Sequence, residues 1–229
     1  MEIKNEGKTM RKITAAAFFA TAAVGVFMLV NTIILDVIYA VGYNHDQFFE
    51  FDYIMVLLKS LISAIIPIAY RVFVTVMSVM LAVRLLKNKS ETLLLRIFCI
   101  VNATYFAYLA IKGGLFNQIT YFDDFFGNLN LMSVQRFVTA ALLAVIAGFY
   151  SDVCGKAQAN VLVVLSAAQY LIYTAFSVAS EIYLISSEIA LTPIYSAVTS
   201  IIATVLMYLP LPLICMLKRI EHAKEDSAI

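Results

Sequence analysis

Six stretches of this chain, at 13–41, 61–83, 92–111, 131–150, 161–183 and 194–216, are apolar almost without interruption. An α-helix rises about 1.5 Å per residue, so each is long enough to cross a hydrocarbon core of about 30 Å. A water-soluble fold cannot hide six such segments. Of 229 residues, 62% are apolar and 14% charged, where soluble domains hold roughly half and a quarter. The chain therefore reads as an all-α, polytopic membrane bundle: one transmembrane domain over 1–229, with short tails at 1–12 and 217–229.

The first stretch decides how the chain enters the membrane. Lys4, Lys8, Arg11 and Lys12 precede an apolar run from Ile13 to Tyr43, far longer than the ~7–15 residues of a cleavable signal. It reads as a retained signal-anchor helix. Tryptophan is absent, and there are only 8 Gly and 4 Pro. Long, mostly uninterrupted helices follow, with Tyr and Phe as interfacial anchors, and a broken-helix transporter fold is not expected.

The charges between the stretches alternate. The N-terminal cluster, then Arg84, Lys87, Lys89 and Arg96, then Lys156, then Lys218, Arg219 and Lys224 share one side, which the positive-inside rule makes cytoplasmic. Asp46, Glu50, Asp52, Asp123, Asp124, Glu181 and Glu188 fall on the other. Lys59 and Lys112 break the pattern, but both sit at span ends where the side chain can snorkel. Both termini are then cytoplasmic. Cys99, Cys154 and Cys215 all fall on this reducing side, so no disulfide framework is implied. Short loops and no organelle-targeting segment suit a bacterial plasma membrane.

Chemistry at a bilayer needs a nucleophile, a base or a metal held in place. The two histidines, His45 and His222, have no partners at metal-ligand spacing, and the usual nucleophile-elbow, zinc-helix and phosphate-loop motifs are absent. The expectation is a protein that is not an enzyme, with no metal, no cofactor and no nucleic-acid partner. The acidic aromatic segments Tyr43–Tyr53 and Ile119–Asn128 read as aromatic belts, or alternatively as a lid or docking surface.

What remains is the polar groups within the spans. Arg71 and Arg136 head similar strings, Arg-Val-Phe-Val-Thr and Arg-Phe-Val-Thr, and the odd spans carry one amide each, Asn31, Asn102 and Gln169. Three repeated two-helix hairpins are one reading, and chance within a small alphabet is the other. By helical rise both arginines lie about 20 Å from the inner end, level with Asp36. A lipid-facing arginine costs at least ~2.5–3.5 kcal/mol, so both should turn inward. Arg71, Arg136, Asp36, Asn31, Asn102 and Gln169 are the candidate ligand-binding set. They form either a site for a small anionic solute or lipid head group, or a bridge that only holds helices together.

Ala15, Ala16, Ala17, Ala20, Ala22, Ala23 and Gly25 allow close helix approach in the first span. Six helices, a basic N-terminus and these alanines resemble, in outline, the substrate-binding subunits of energy-coupling-factor vitamin transporters, without their frequent glycines. The reading is a small transporter or channel, or the membrane-embedded subunit of one. No ATPase motif is present, so active transport would need an ion gradient or an energising subunit. The alternative is a scaffold, regulatory or immunity-type protein that binds a partner membrane protein.

Overall fold

The computed structural model describes residues 2–42, 51–112, 131–187 and 191–225, with side chains over 6–31, 65–112, 132–182 and 198–221. All elements are helical: α1 (Glu2–Gly42), α2 (Phe51–Leu86), α3 (Thr92–Lys112), α4 (Leu131–Phe149), α5 (Lys156–Ser187), α6 (Leu191–Tyr208) and α7 (Pro210–Glu225). Six segments among them are long and apolar enough to span a membrane. Helices are the natural outcome, because a spanning chain must satisfy its backbone internally.

Local chemistry fixes the ends. After α2 the chain turns through Asn88 in the left-handed region (φ 51°). Lys89 N–H then donates to the Arg84 carbonyl (3.0 Å), the backward hydrogen bonding of a helix C-cap. The sixth apolar stretch, expected as one helix, is divided at Leu209. Pro210 lacks an N–H and its ring crowds the carbonyl four residues back, so α6 stops and α7 restarts on the proline. Pro67 lies inside α2 without ending it, as neighbouring helices allow in a membrane. Residues 51–53, the end of the first acidic aromatic segment, begin α2, and Glu181, inside the fifth stretch, lies within α5.

The helices form a ring. α1 packs on α2 on one side and on α6 and α7 on the other; α5 packs on α6, α7 and α4; α4 packs on α3. The ring closes only lightly between α2 and α3, although five residues join them.

One end of the ring gathers the basic residues. Arg11 bonds both Glu221 and Asn88, Arg96 donates to the Tyr150 carbonyl (2.6 Å), and Asp152 accepts from Ser90 (2.8 Å) and Thr92 (2.5 Å). Above this end the ring is packed solid by Leu81, Leu95, Phe98, Leu143, Ile146 and Ile214, none more than 3% exposed. Phe18 of α1 meets Phe98 of α3 edge to face, centroids 6.3 Å apart, a favoured aromatic geometry. The outer surface carries Leu93, Val164, Leu171 and Ile65 at 59–66% exposure, which is where lipid would stand.

Candidate functional site

Farther from the basic end the ring is hollow. A cavity of about 210 Å³ lies between α1, α2, α3, α5 and α6, and its wall holds Arg71 with Tyr70, Tyr105, Tyr173 and Tyr208. Ser200 and Thr204 of α6 complete the polar lining, and Val24, Met28, Phe106 and Leu109 the apolar one. Counting from the helix ends at Leu86, Thr92 and Lys156, these levels lie about 20–26 Å from the basic end.

Each polar group is placed by its helix. The Arg71 guanidinium donates to the Met28 carbonyl on α1 (2.7 Å), and the Thr75 hydroxyl, one turn on, donates to the Arg71 carbonyl (2.9 Å). Gly25 permits the close approach of α1 and α2 here, since a Cβ on it would run into the Thr75 hydroxyl. Beneath the cavity Asn102 is fully buried. It donates to the Phe98 carbonyl (2.7 Å) and accepts from the hydroxyls of Tyr70 (2.5 Å) and Tyr208 (3.3 Å). The Tyr70 and Tyr105 rings stack 3.6 Å apart and within 9° of parallel. Tyr173 packs against Tyr208 at 4.6 Å and Phe106 at 5.3 Å. At the α6 wall Ser200 donates to Glu181 (2.6 Å).

The six candidate residues are distributed as follows. Arg71 lines the cavity and Asn102 forms its floor through Tyr70. Arg136 is half-buried on α4, which does not contribute to the cavity wall. Gln169 is fully buried one turn below Tyr173, and neither of its amide atoms has a hydrogen-bond partner among the described residues. Asn31 is half-buried on α1. Asp36 falls in α1, but its side chain lies outside the described residues, as do the acidic aromatic segments at 43–50 and 119–128 and both histidine side chains. Among the described residues no three His, Cys, Asp or Glu side chains group as metal ligands.

Sequence reasoning singled out none of these four tyrosines by position, because it assigned Tyr mainly to the interfaces and otherwise only to unspecified hydroxyl partners of the arginines. Depth was the available signal. Tyr70, Tyr105 and Tyr173 each sit more than ten residues from the basic end of their helix, too far for the belt at that face. No protein-family model, curated protein or solved structure matches the chain.

Proposed function

We propose that this is a non-enzymatic multi-pass protein of a bacterial plasma membrane, a small transporter or the substrate-binding subunit of one, which takes a small anionic ligand beside Arg71. The supporting observation is the cavity itself. A scaffold gains nothing from a hollow at this depth, whereas a binding site needs a concave polar pocket with apolar walls. Arg71 makes that wall positive, and guanidinium geometry suits carboxylate or phosphate. Buried Gln169, one turn below Tyr173 and with its amide unpartnered among the described residues, is a group that a buried water would satisfy.

In this reading the basic end is cytoplasmic, both termini lie there, and the ligand does not enter from that end, because the packed layer of Leu81, Phe98 and Ile146 blocks that route. Pairing of α1 with α2, α3 with α4, and α5 with α6 and α7 is also what three repeated hairpins would produce. Asp36 and Asn31 would border the entrance on α1. Energy would come from an ion gradient or a separate subunit.

Ser200→Cys and Thr204→Cys, in a chain whose native cysteines are replaced by alanine, test the reading. A small water-soluble methanethiosulfonate should modify both positions, and benzoate should slow the reaction, less so with Arg71→Gln. If neither cysteine reacts, the interior is sealed and dry, and the scaffold alternative stands.

A further inference from the structure

The central cavity has a second compartment on its outer side. Between α2 and α3, where the ring closes only lightly, a groove of about 540 Å³ faces outward. Its α2 wall is Ile65, Ile66, Ala69, Tyr70 and Phe73, and its α3 wall is Val101, Thr104, Tyr105 and Tyr108. The spacings are those of one helix face on each side. Almost all of the lining is apolar, and Ile65 is 59% exposed and Ile66 46%, so the groove is open to the layer where acyl chains stand.

Tyr70 and Tyr105 line both the groove and the central cavity. Their stacked rings, 3.6 Å apart, are therefore the partition between a polar chamber and a lipid-facing slot. The two faces of this partition differ in chemistry. Inside are Arg71 and the hydroxyls of Ser200 and Thr204; outside are isoleucine, valine and phenylalanine. A solute that is polar throughout would gain nothing from the slot. A double-chain lipid would need to place two tails in a groove bounded by only two helices.

We infer that the site binds a single-chain anionic amphiphile drawn laterally from the bilayer, with its carboxylate in the cavity beside Arg71 and its tail in the α2–α3 groove. This rests on the ligand-binding reading above and narrows it. The groove runs eight residues along α2, from Ile65 to Phe73, or about 12 Å, which accommodates a chain on the order of ten methylenes. An engineered apolar cavity near 150 Å³ takes benzene, so a chamber of about 210 Å³ holds a head group and its first carbons but not a whole long chain. Glu181, held by Ser200 at the α6 wall, opposes a second negative charge and so favours a monoanion. Tyr70 is held at the partition by its bond to Asn102 (2.5 Å).

The test uses the full chain in phosphatidylcholine nanodiscs and a diazirine-tagged dodecanoate. Photolabelling should map to peptides containing Ile65–Phe73 and Val101–Tyr108, and untagged dodecanoate should compete it away. Labelling should fall at least about tenfold in Arg71→Gln, as expected when a charge-assisted contact is lost. Ile66→Trp, which fills the slot, should reduce it similarly; Val101→Trp fills the facing wall if the first variant is poorly produced. Competition by dodecyltrimethylammonium as strong as by dodecanoate would overturn the anionic assignment. If benzoate protects Ser200→Cys as well as dodecanoate does, and Ile66→Trp changes neither, the amphiphile is wrong while the ligand site survives. If neither anion protects and the cysteine is unreactive, both readings fall. Disulfide-linked dimers formed through Ile66→Cys in place of labelling would give the groove to a second copy and overturn the inference.

Discussion

The hydroxyl of Tyr70 donates to the side-chain oxygen of Asn102 at 2.5 Å, and the Tyr208 hydroxyl lies 3.0 Å from the same tyrosine oxygen. Three helices therefore share one amide at the floor of the cavity. Asn102→Ala removes the acceptor, but Tyr70 and Tyr208 can still bond each other. The expected loss is about 0.6–1.7 kcal/mol, the range of single hydrogen bonds between membrane helices. Thermal unfolding in a fixed detergent measures it; Asn102→Ala with Tyr70→Phe should be less than additive, because both changes remove the same bond.

Gly25 and Thr75 make the second close contact. A Cβ at Gly25 would meet the Thr75 hydroxyl well inside contact distance, with the Thr75 Cβ 3.4 Å away. Gly25→Ala should destabilise the pairing of α1 and α2 by about 1–3 kcal/mol, the usual cost of overpacking. Thr75→Ala in the same chain removes the clashing atom and should restore most of the loss. Equal costs of Gly25→Ala in both backgrounds would show that α1 and α2 are not held this closely.

Much of this architecture was legible because a membrane leaves the chain few options. Length and hydropathy marked out the spans, and Gly25 stood out among the alanines of the first helix. The break at Leu209 was less visible, since Pro210 and Pro212 lie in an apolar run that hydropathy treats as continuous. The site was legible only as polarity in the wrong place. Arg71, Asn102 and Gln169 were conspicuous because each is expensive in hydrocarbon. The tyrosines were not, since a phenol is tolerated at almost any depth, and only the three-dimensional ring brings Tyr70 of α2 onto Tyr105 of α3. The serine partner of Glu181 was not legible, because one acid near a helix end looks the same in sequence whether it faces water or a serine.

Orientation is best tested at Val153, which is 89% exposed in the turn between α4 and α5. Its neighbour Cys154 is fully buried and its thiol is pushed up by that burial, against the lowering influence of Lys218. Native Cys154 should therefore resist thiol reagents from either side. Val153→Cys should react with an impermeant maleimide only after cells are opened. Labelling of Val153→Cys in intact cells would invert the topology.

Asp152, in the same turn, has its carboxyl held below the usual carboxylate range, first by the Thr92 hydrogen bond and then by that of Ser90. A carboxyl depressed on folding contributes stability above its unfolded value and loses it as pH falls through the folded one. The contribution should be complete at neutral pH and fade below about pH 4. Asp152→Asn should make acid unfolding shallower below that pH, with an effect under about 1 kcal/mol for so exposed a group. Identical acid profiles in both proteins would show that the loop is not tied to the start of α3.

Glu91 poses the sharpest energetic question at the basic end. It is 4% exposed, accepts a hydrogen bond from Tyr150 (2.9 Å) and has the Lys218 ammonium at 3.9 Å. That ammonium also stands 5.7 Å from the centre of the Tyr150 ring, within cation–π range. The carboxylate thus depends on one close donor and one more distant cation. Losing the cation leaves a buried charge only half compensated, which costs more than the pair itself contributes. Lys218→Met should accordingly lower stability by up to about 3 kcal/mol. In a Glu91→Gln background, where the amide oxygen still accepts from Tyr150 and no charge is stranded, the same change should cost under about 1 kcal/mol. Unfolding of the four proteins of this cycle in one detergent gives the coupling directly, and a Lys218→Met penalty that is the same with Glu or Gln at 91 would mean that α7 is held to the start of α3 by packing alone.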